Sequence, residues 1–519
     1  MVSTGDKFDV SGNDLLMWWQ HDEATTAVAL CLESFGNPRK FSRLCRALAR
    51  TKPVLALRTG SSEAAVSPRA PAVTPAVTRD ALFRQAGVIA VDTIAELVGT
   101  LAELSWQPLP AGNRVAVVTN AGGAGVLSAD ACARAGMVLT ELDAATVATL
   151  GALLPEPAPV ANPVDTTAAV HADTFNRCVA AVLADPGVDA VIAVTVRTAL
   201  GDPITALTGI AVGDKPLLAV RLGQVATVAA LPGAGGVAGT ASYADPAAAV
   251  AVLGRLADYA RWRGCPNPSA TPPSDVDVPR ALSILRECFR VDPAGGWLGP
   301  LATVELLRCF GIPTLDTRFA AEEGAAVTSF AELGGPVVVK ALVEGVLHNN
   351  AHVGGVLEVR DPDDVRAALR ELTGRFGAAL RGVLLQPIVA HGRELLVEVH
   401  SDGVFGPLIV FGLGGVDTDL VADRTARLVP LGDADADDLL HGLRCSTTLF
   451  GPHATAALDI AAVRDTLLRV GLLAQLLPEV AELDLNPLIV GSQGCHVVDA
   501  RVRVAASVPV DPFLPGLRG

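Results

Sequence analysis

Aromatic residues are scarce in this chain, 4% of 519 positions, with 5 Trp and 2 Tyr. Its interior must be closed by small aliphatic side chains, which suits tightly packed α/β layers. Positive charge is also short: 40 Lys and Arg stand against 55 Asp and Glu, a net charge of −15. A nucleic-acid partner, which needs clustered cations along a phosphate backbone, is therefore not expected. No apolar run of about eighteen residues occurs, so neither a transmembrane helix nor a membrane partner is expected. The opening stretch, Met1 to Lys7, lacks the apolar region of a signal peptide. The 9 cysteines are scattered and form no C-x-x-C pair, which excludes a zinc knuckle and a disulfide framework. A reducing, cytoplasmic setting is expected. Histidine is missing altogether between His21 and His171.

What is present is half hydrophobic and only 18% charged, a balance that buries a large core. At about 150 residues per domain the length predicts roughly three to four domains. A short β-branched run, a Gly-rich turn and an Ala/Leu-rich helical stretch recur. Val54–Leu57 leads into Arg58-Thr59-Gly60, and Val115–Val118 leads into Thr119–Gly125 and a helical Val126–Ala135. Ala190–Val194 and Leu217–Val220 repeat the strand signal. Apolar strands without alternation, separated by helices, predict parallel sheets covered on both faces. One such unit spans residues 1–105 and a second 110–264, with a Pro/Ser/Asp-rich linker over 265–279. Residues 280–519 read differently. Val337–Lys340, Val383–Gln386, Leu395–His400 and Leu408–Phe411 look like strands without regular intervening helices, which predicts an α+β domain with a mostly antiparallel sheet.

The strongest chemical signal lies near the C-terminus, in Glu482-Leu483-Asp484-Leu485-Asn486-Pro487-Leu488 followed by Val497-Val498-Asp499-Ala500-Arg501. Asp484 and Asn486 are two apart on a strand and share a face. Asp499 can join them across the Gly491–Gly494 turn. Hard oxygen ligands from neighbouring strands suit Mg²⁺, which keeps waters and takes substrate phosphates; an Asx turn before Pro487 is the plainer alternative. Lys340, ending an apolar strand, can meet a phosphate as a point charge. Phe411-Gly412-Leu413-Gly414-Gly415 can bring backbone N–H groups close to an anion, or can be merely a tight turn.

Together, D-L-N-P-L, the downstream V-D-A-R, the strand lysine and F-G-x-G-G resemble the ATP-grasp domain of the NDP-forming acyl-CoA synthetases, the family of succinyl-CoA synthetase and the ADP-forming acetyl-CoA synthetases. Val2–Leu16 and Asp80–Val88 resemble its succinyl-CoA-ligase-type domain. Val117–Gly125 and Asn162-Pro163-Val164-Asp165 resemble the flavodoxin-like domain that follows. The resemblance implies an α/β protein: two flavodoxin-like parallel-sheet domains, the first incomplete, then an α+β ATP-grasp domain. It implies interconversion of acyl-CoA, ADP and phosphate with free acid, CoA and ATP, through an acyl phosphate and a phosphohistidine. By position Lys340 would hold the phosphates of ATP or ADP. Gln386 and Pro387 would lie at the adenine hinge and Glu394 beside the nucleotide, with Gly414 and Gly415 nearby. Asn486 and Asp499 would ligand Mg²⁺ with Asp484 supporting, and His348 would be a phosphoryl acceptor on the nucleotide domain.

The chain also departs from that pattern. The stretch where the family carries its principal phosphohistidine reads Ser67-Pro68-Arg69-Ala70-Pro71-Ala72-Val73-Thr74-Pro75, without histidine. Glu33 sits where the family orients that missing imidazole. The CoA-binding Rossmann domain has no counterpart: a CoA-binding subunit supplies it, or the start is truncated, or the function has changed, and the incomplete first domain predicts an oligomeric assembly. After Lys340 the loop reads His348-Asn349-Asn350-Ala351-His352-Val353-Gly354-Gly355, without the family's lysine and acid. A degraded homologue that senses nucleotide as a regulatory or scaffold subunit is the alternative function, and a ligase with an amine acceptor a third.

Overall fold

The computed structural model describes residues 2–3, 10–32, 35, 37–58, 76–156, 158–210, 212–233, 239–266, 274–343, 356–389, 392–402, 405–415, 423–446, 449 and 458–506. The chain divides into two compact units, one built on Met1–Pro266 and the other on Asn267–Asp511.

The first unit holds two sheets. Strands β1 (Val28–Cys31), β2 (Val54–Leu57) and β3 (Val88–Val91) form a parallel three-stranded sheet in that order. The second sheet collects β4 (Arg114–Thr119), β5 (Val138–Leu139), β6 (Val164–Asp165), β7 (Ala190–Val196), β8 (Leu217–Leu222), β9 (Val228–Leu231) and β10 (Thr240–Tyr243). Its order is β5-β4-β7-β8-β10-β9, with β6 against β4. The pairs are parallel except for β9–β10 at the edge. Central β4, β7 and β8 are buried over nearly their whole length, as strands covered on both faces must be.

Helix starts follow the local sequence. Asn37-Pro38, Asp245-Pro246 and Asp361-Pro362 each place an acceptor side chain at the N-cap and a proline in the first turn. Helix Pro246–Gly264 returns to the first sheet's layer. There the Tyr259 hydroxyl donates to the Ala49 carbonyl at 2.6 Å, and the Arg50 guanidinium stacks 4.4 Å from the Trp262 ring. Helix Ile94–Trp106 lays Glu103, fully buried, on the second sheet. One Glu103 oxygen lies 3.2 Å from the Ala241 N–H, which donates to it, and 3.2 Å from the Thr240 hydroxyl.

The second unit has two antiparallel sheets. The larger comprises β11 (Gly295–Trp297), β16 (Arg393–Asp402), β17 (Gly406–Leu413), β18 (Arg424–Leu428), β19 (Val480–Gly491), β20 (Gly494–Val497) and β21 (Ala500–Ala505). Its order is β11-β21-β19-β16-β17-β18, with β20 on β19. The smaller comprises β12 (Arg318–Ala320), β13 (Val337–Val343), β14 (Val356–Val359) and β15 (Leu380–Pro387), in the order β12-β15-β13-β14. The expected class is therefore present, with two corrections of detail. Regular helices do intervene in this region: Glu323–Leu333, Pro362–Phe376, Asp433–His441 and Ile460–Leu476. They supply the apolar faces that cover one side of each sheet. Lys340 also does not end its strand, because the alternation of buried and half-buried residues continues through Val343.

No helix among the described residues is long and apolar enough to cross a membrane. All nine cysteines are free.

Candidate functional site

Alternation builds the site. On β13, Val337, Val339, Ala341 and Val343 pack into the small sheet's helical core, which leaves Lys340 and Leu342 on the opposite face. On β15, Val383 and Leu385 enter that core, while Leu384 and Gln386 turn the other way. Lys340 is paired with Leu384 and Val338 with Gln386. These outward residues form one wall of a cavity of about 490 Å³. Its other lining includes Trp297 through Pro300, Thr314, Leu315, Thr317 and the Val497–Arg501 segment of the large sheet. That size falls within the ordinary range for small-molecule sites.

Within the cavity the Lys340 amine donates to the Val498 carbonyl at 3.0 Å. Burial pushes its pKa down, and the Asp499 carboxylate opposes the shift. Asp499 lies in the break between β20 and β21. Its Oδ1 accepts from the Ala500 N–H at 3.0 Å, and its carbonyl accepts from the Asn486 N–H at 3.2 Å. Asn486 stands at an irregularity: Leu395 pairs with Leu488 and Val397 with Leu485, so Asn486 and Pro487 together oppose Leu396. Such a bulge re-aims a side chain, and a proline without an N–H is tolerated there.

The glycine run works through close approach. A Cβ on Gly414 would sit 2.4 Å from the Leu395 carbonyl oxygen. Gly415, at φ +97°, would bring one 2.6 Å from the Glu394 carboxylate. Their N–H groups are committed: Gly414 donates to the Glu394 carbonyl at 3.0 Å, and Gly415 to Asn486 Oδ1 at 3.3 Å. The run fixes Glu394 and Asn486 in place.

Asp484 shares the face of Asn486 and lies directly opposite Glu398. Its Oδ2 receives the Arg501 guanidinium, whereas its Oδ1 is buried without a partner among the described residues. Burial raises its pKa; Arg501 pulls the other way, and Glu398 and Asp499 add to the rise. Glu398 itself is held low by His400, at 3.2 Å, and by Arg424. His400 is raised in turn by Glu398, Glu482 and Asp484.

Lys340, Gln386 and Asp499 thus share the cavity. Asn486 joins it through the Asp499 backbone, while Asp484 faces Arg501. Pro387, Glu394, Gly414 and Gly415 fall outside the lining. His348, His352, Glu33 and the Ser67–Pro75 stretch lie outside the described residues. Sequence reasoning assigned no role to Arg501, which lines the cavity; its position two residues past Asp499 was the available signal. Thr317 and Trp297 carried no signal at all. The donor set fits magnesium. Asp484 Oδ1 lacks a partner, Asp499 and Asn486 are oxygen donors nearby, and no described group of three or more His, Cys, Asp or Glu forms a metal cage. Mg²⁺ suits such a partial protein shell, completed by waters and phosphates.

With this geometry in hand, the chain matches three family profiles in order: a succinyl-CoA ligase like flavodoxin domain over residues 1–104, a ligase-CoA domain over 115–261 and an ATP-grasp domain over 292–504. The ADP-forming acetate–CoA ligase I of Archaeoglobus fulgidus is 31% identical over 517 residues, 98% of this chain and 74% of that protein. The alpha subunit of ADP-forming acetate–CoA ligase II from Pyrococcus furiosus is 37% identical over 199 residues, 38% of this chain and 43% of that subunit. The beta subunit of ligase I from the same organism is 30% identical over 203 residues, 38% of this chain and 88% of that subunit. Similarity that runs almost end to end through three consecutive domains settles the kinship: the chain belongs to the ADP-forming acyl-CoA synthetase family, whose relatives named here are acid–thiol ligases.

Proposed function

We propose that residues 280–519 bind Mg-ATP or Mg-ADP for phosphoryl transfer coupled to the interconversion of acyl phosphate and acyl-CoA. Residues 1–105 and 110–264 would be its two flavodoxin-like domains, joined to the nucleotide domain by a linker over 265–279. The observation that carries the reading is the placement, in one cavity, of the Lys340 amine and the Asp499 carboxylate, whose charge favours the ammonium. Lys340 spends one N–H on Val498 and keeps two donors for phosphate oxygens. Asp499 and Asn486 would ligand magnesium, with Asp484 supporting through its unpartnered Oδ1. The ion would supply charge neutralisation and orientation of the phosphates. Gln386 and Pro387 would hold the base end and Glu394 the nucleotide's flank, with Gly414 and Gly415 fixing Glu394 and Asn486.

His348 is the proposed phosphoryl acceptor. A CoA-binding part, on a separate subunit or on an upstream segment, would complete the reaction, and the working form would be an oligomer; relatives include proteins whose alpha and beta subunits are separate chains. Nine free thiols accord with the cytoplasm.

Titration calorimetry of the folded chain with Mg-ADP and Mg-ATP tests the proposal. Saturable binding that disappears with chelation of magnesium is expected, and no binding would discard it. Incubation with γ-labelled ATP is expected to leave acid-labile label that vanishes in His348→Ala. Binding without label would instead mark a nucleotide sensor.

A further inference from the structure

Among the described residues that line the cavity, three have charged side chains: Lys340, Asp499 and Arg501. Asp484 adds a second carboxylate, close enough for its charge and that of Asp499 to disfavour each other. Lys340 alone would face two carboxylates, a balance that repels a polyphosphate. Arg501 brings these four groups to neutrality.

Strand alternation and register place Arg501 there. On β21, Val502 and Val504 enter the core of the large sheet, which leaves Arg501 and Arg503 on its other face. Arg501 is paired with Asp484 on β19, and Arg503 with Glu482. Each arginine donates to the acid across from it. Their surroundings then differ. The Arg501 guanidinium carbon lies 5.7 Å from the centre of the Trp297 ring, and both residues belong to the cavity wall. Arg503 is outside the lining. A guanidinium has five N–H donors on a planar fork and can hold a carboxylate and a phosphate oxygen together. Held over a ring and bonded to a carboxylate, it has little side-chain freedom left to lose when a ligand binds.

We propose that Arg501 is a second phosphate-binding cation of the cavity, held by Asp484 and Trp297 so that its guanidinium donates to a phosphate oxygen of the nucleotide. The inference rests on the nucleotide reading above and adds a substrate-contacting residue to it. Lys340 meets phosphate as a point charge, whereas the planar fork of Arg501 also fixes the direction of approach. The rival role is indirect: an arginine that only holds the Asp484 carboxylate in place would affect nucleotide binding through Asp484 and in no other way. The two roles separate when Asp484 is itself altered, because a direct contact survives that change and an indirect one does not.

Titration calorimetry of the full chain with Mg-ADP is the test. Arg501→Gln keeps an N–H donor for Asp484 and removes the charge; its dissociation constant should rise about tenfold to 150-fold. Arg501→Met gives the same comparison where the glutamine variant is unstable. Arg501→Lys restores a cation without the fork and should come back to within about tenfold of the wild type. Arg503→Met, one cross-strand pair along, should stay within about twofold. Asp484→Asn still offers Arg501 an acceptor, and Arg501→Gln in that background should weaken Mg-ADP by nearly the same factor as in the wild type. Unchanged affinity in Arg501→Gln, a loss that vanishes in the Asp484→Asn background, or an equal loss in Arg503→Met overturns the inference while leaving the nucleotide site standing. A folded wild type that does not bind Mg-ADP overturns the nucleotide reading, and this inference with it.

Discussion

Replacing Lys340 with methionine separates a ligand-binding lysine from a structural one, because the two roles predict opposite changes in stability. The amine is half-buried, with one bond to the Val498 carbonyl at 3.0 Å. Burial lowers its pKa, so the fold works against its charge when no ligand is present. The sign follows: with a folded pKa below the unfolded one, the charged lysine costs stability at neutral pH, and the cost is relieved as pH rises from the folded value to the unfolded one. Lys340→Met keeps the stem and drops the charge. It should leave the melting temperature unchanged or slightly raised, as when an uncompensated buried charge is replaced by an apolar group. Binding should suffer instead. A hydrogen bond to a charged group is worth about 1.5–3 kcal/mol, which corresponds to a dissociation constant for Mg-ADP raised about tenfold to 150-fold. Calorimetry gives the affinity and differential scanning calorimetry the stability. Unchanged affinity would remove Lys340 from the phosphate site. A fall of several degrees in melting temperature would show that its bond to Val498 holds the two sheets together.

Three further outcomes are expected. In Arg501→Met the Asp484 carboxyl, already raised by burial and held back by Arg501, should rise further; Mg-ADP affinity would then fall more steeply as pH is lowered, since a protonated carboxyl is a poor ligand. Gly414→Ala should destabilise the second unit by about 1–3 kcal/mol, because its Cβ meets strand backbone rather than a movable side chain, and chemical denaturation reads the loss. In the first unit, burial pushes Glu103 up to about 8 from an ordinary 4.5. Its contribution is full below the unfolded pKa and is lost as pH rises through the folded one, so stability should decline from about pH 4.5 to about pH 8. Glu103→Gln should flatten that decline in a denaturation series across pH, and an unaltered slope would show that Glu103 is not its source.

Much of this was legible in the sequence because period and caps are local. Continuous apolar runs such as Val115–Val118 and Ala190–Val194 mark parallel strands, and these are buried strands of the second sheet. The helices between the later strands escaped notice because their apolar residues are interleaved with charge, as in Pro362–Phe376, and the strand signals on either side dominate the reading. Spacing put Asp484 and Asn486 on one face, but it does not encode the bulge opposite Leu396 that sets Asn486 apart. The commitment of Asp484 to Arg501 depends on register between β19 and β21, which pair directly at these two residues. No local pattern reports cross-strand register. Thr317 was unreadable for the same reason: it precedes a short edge strand and matters only because β15 brings Gln386 against it.

Several groups that fit the fold poorly lie around the candidate site. Glu398 and Asp484 are directly opposed carboxyls on adjacent strands, an arrangement that is destabilising unless cations intervene. Arg424, Arg501 and His400 intervene, and the two carboxyls end with opposite shifts, Glu398 lowered and Asp484 raised. The site also holds a half-buried ammonium, and two buried oxygens, Asp484 Oδ1 and Gln386 Oε1, have no partner among the described residues. A core selected for stability alone would replace such groups with aliphatic side chains. Their presence in one region, in a chain otherwise rich in small apolar residues, is what local rule-breaking at a functional site looks like. The proposed metal-bound nucleotide would bring phosphate to the ammonium and a cation to the carboxylate oxygen.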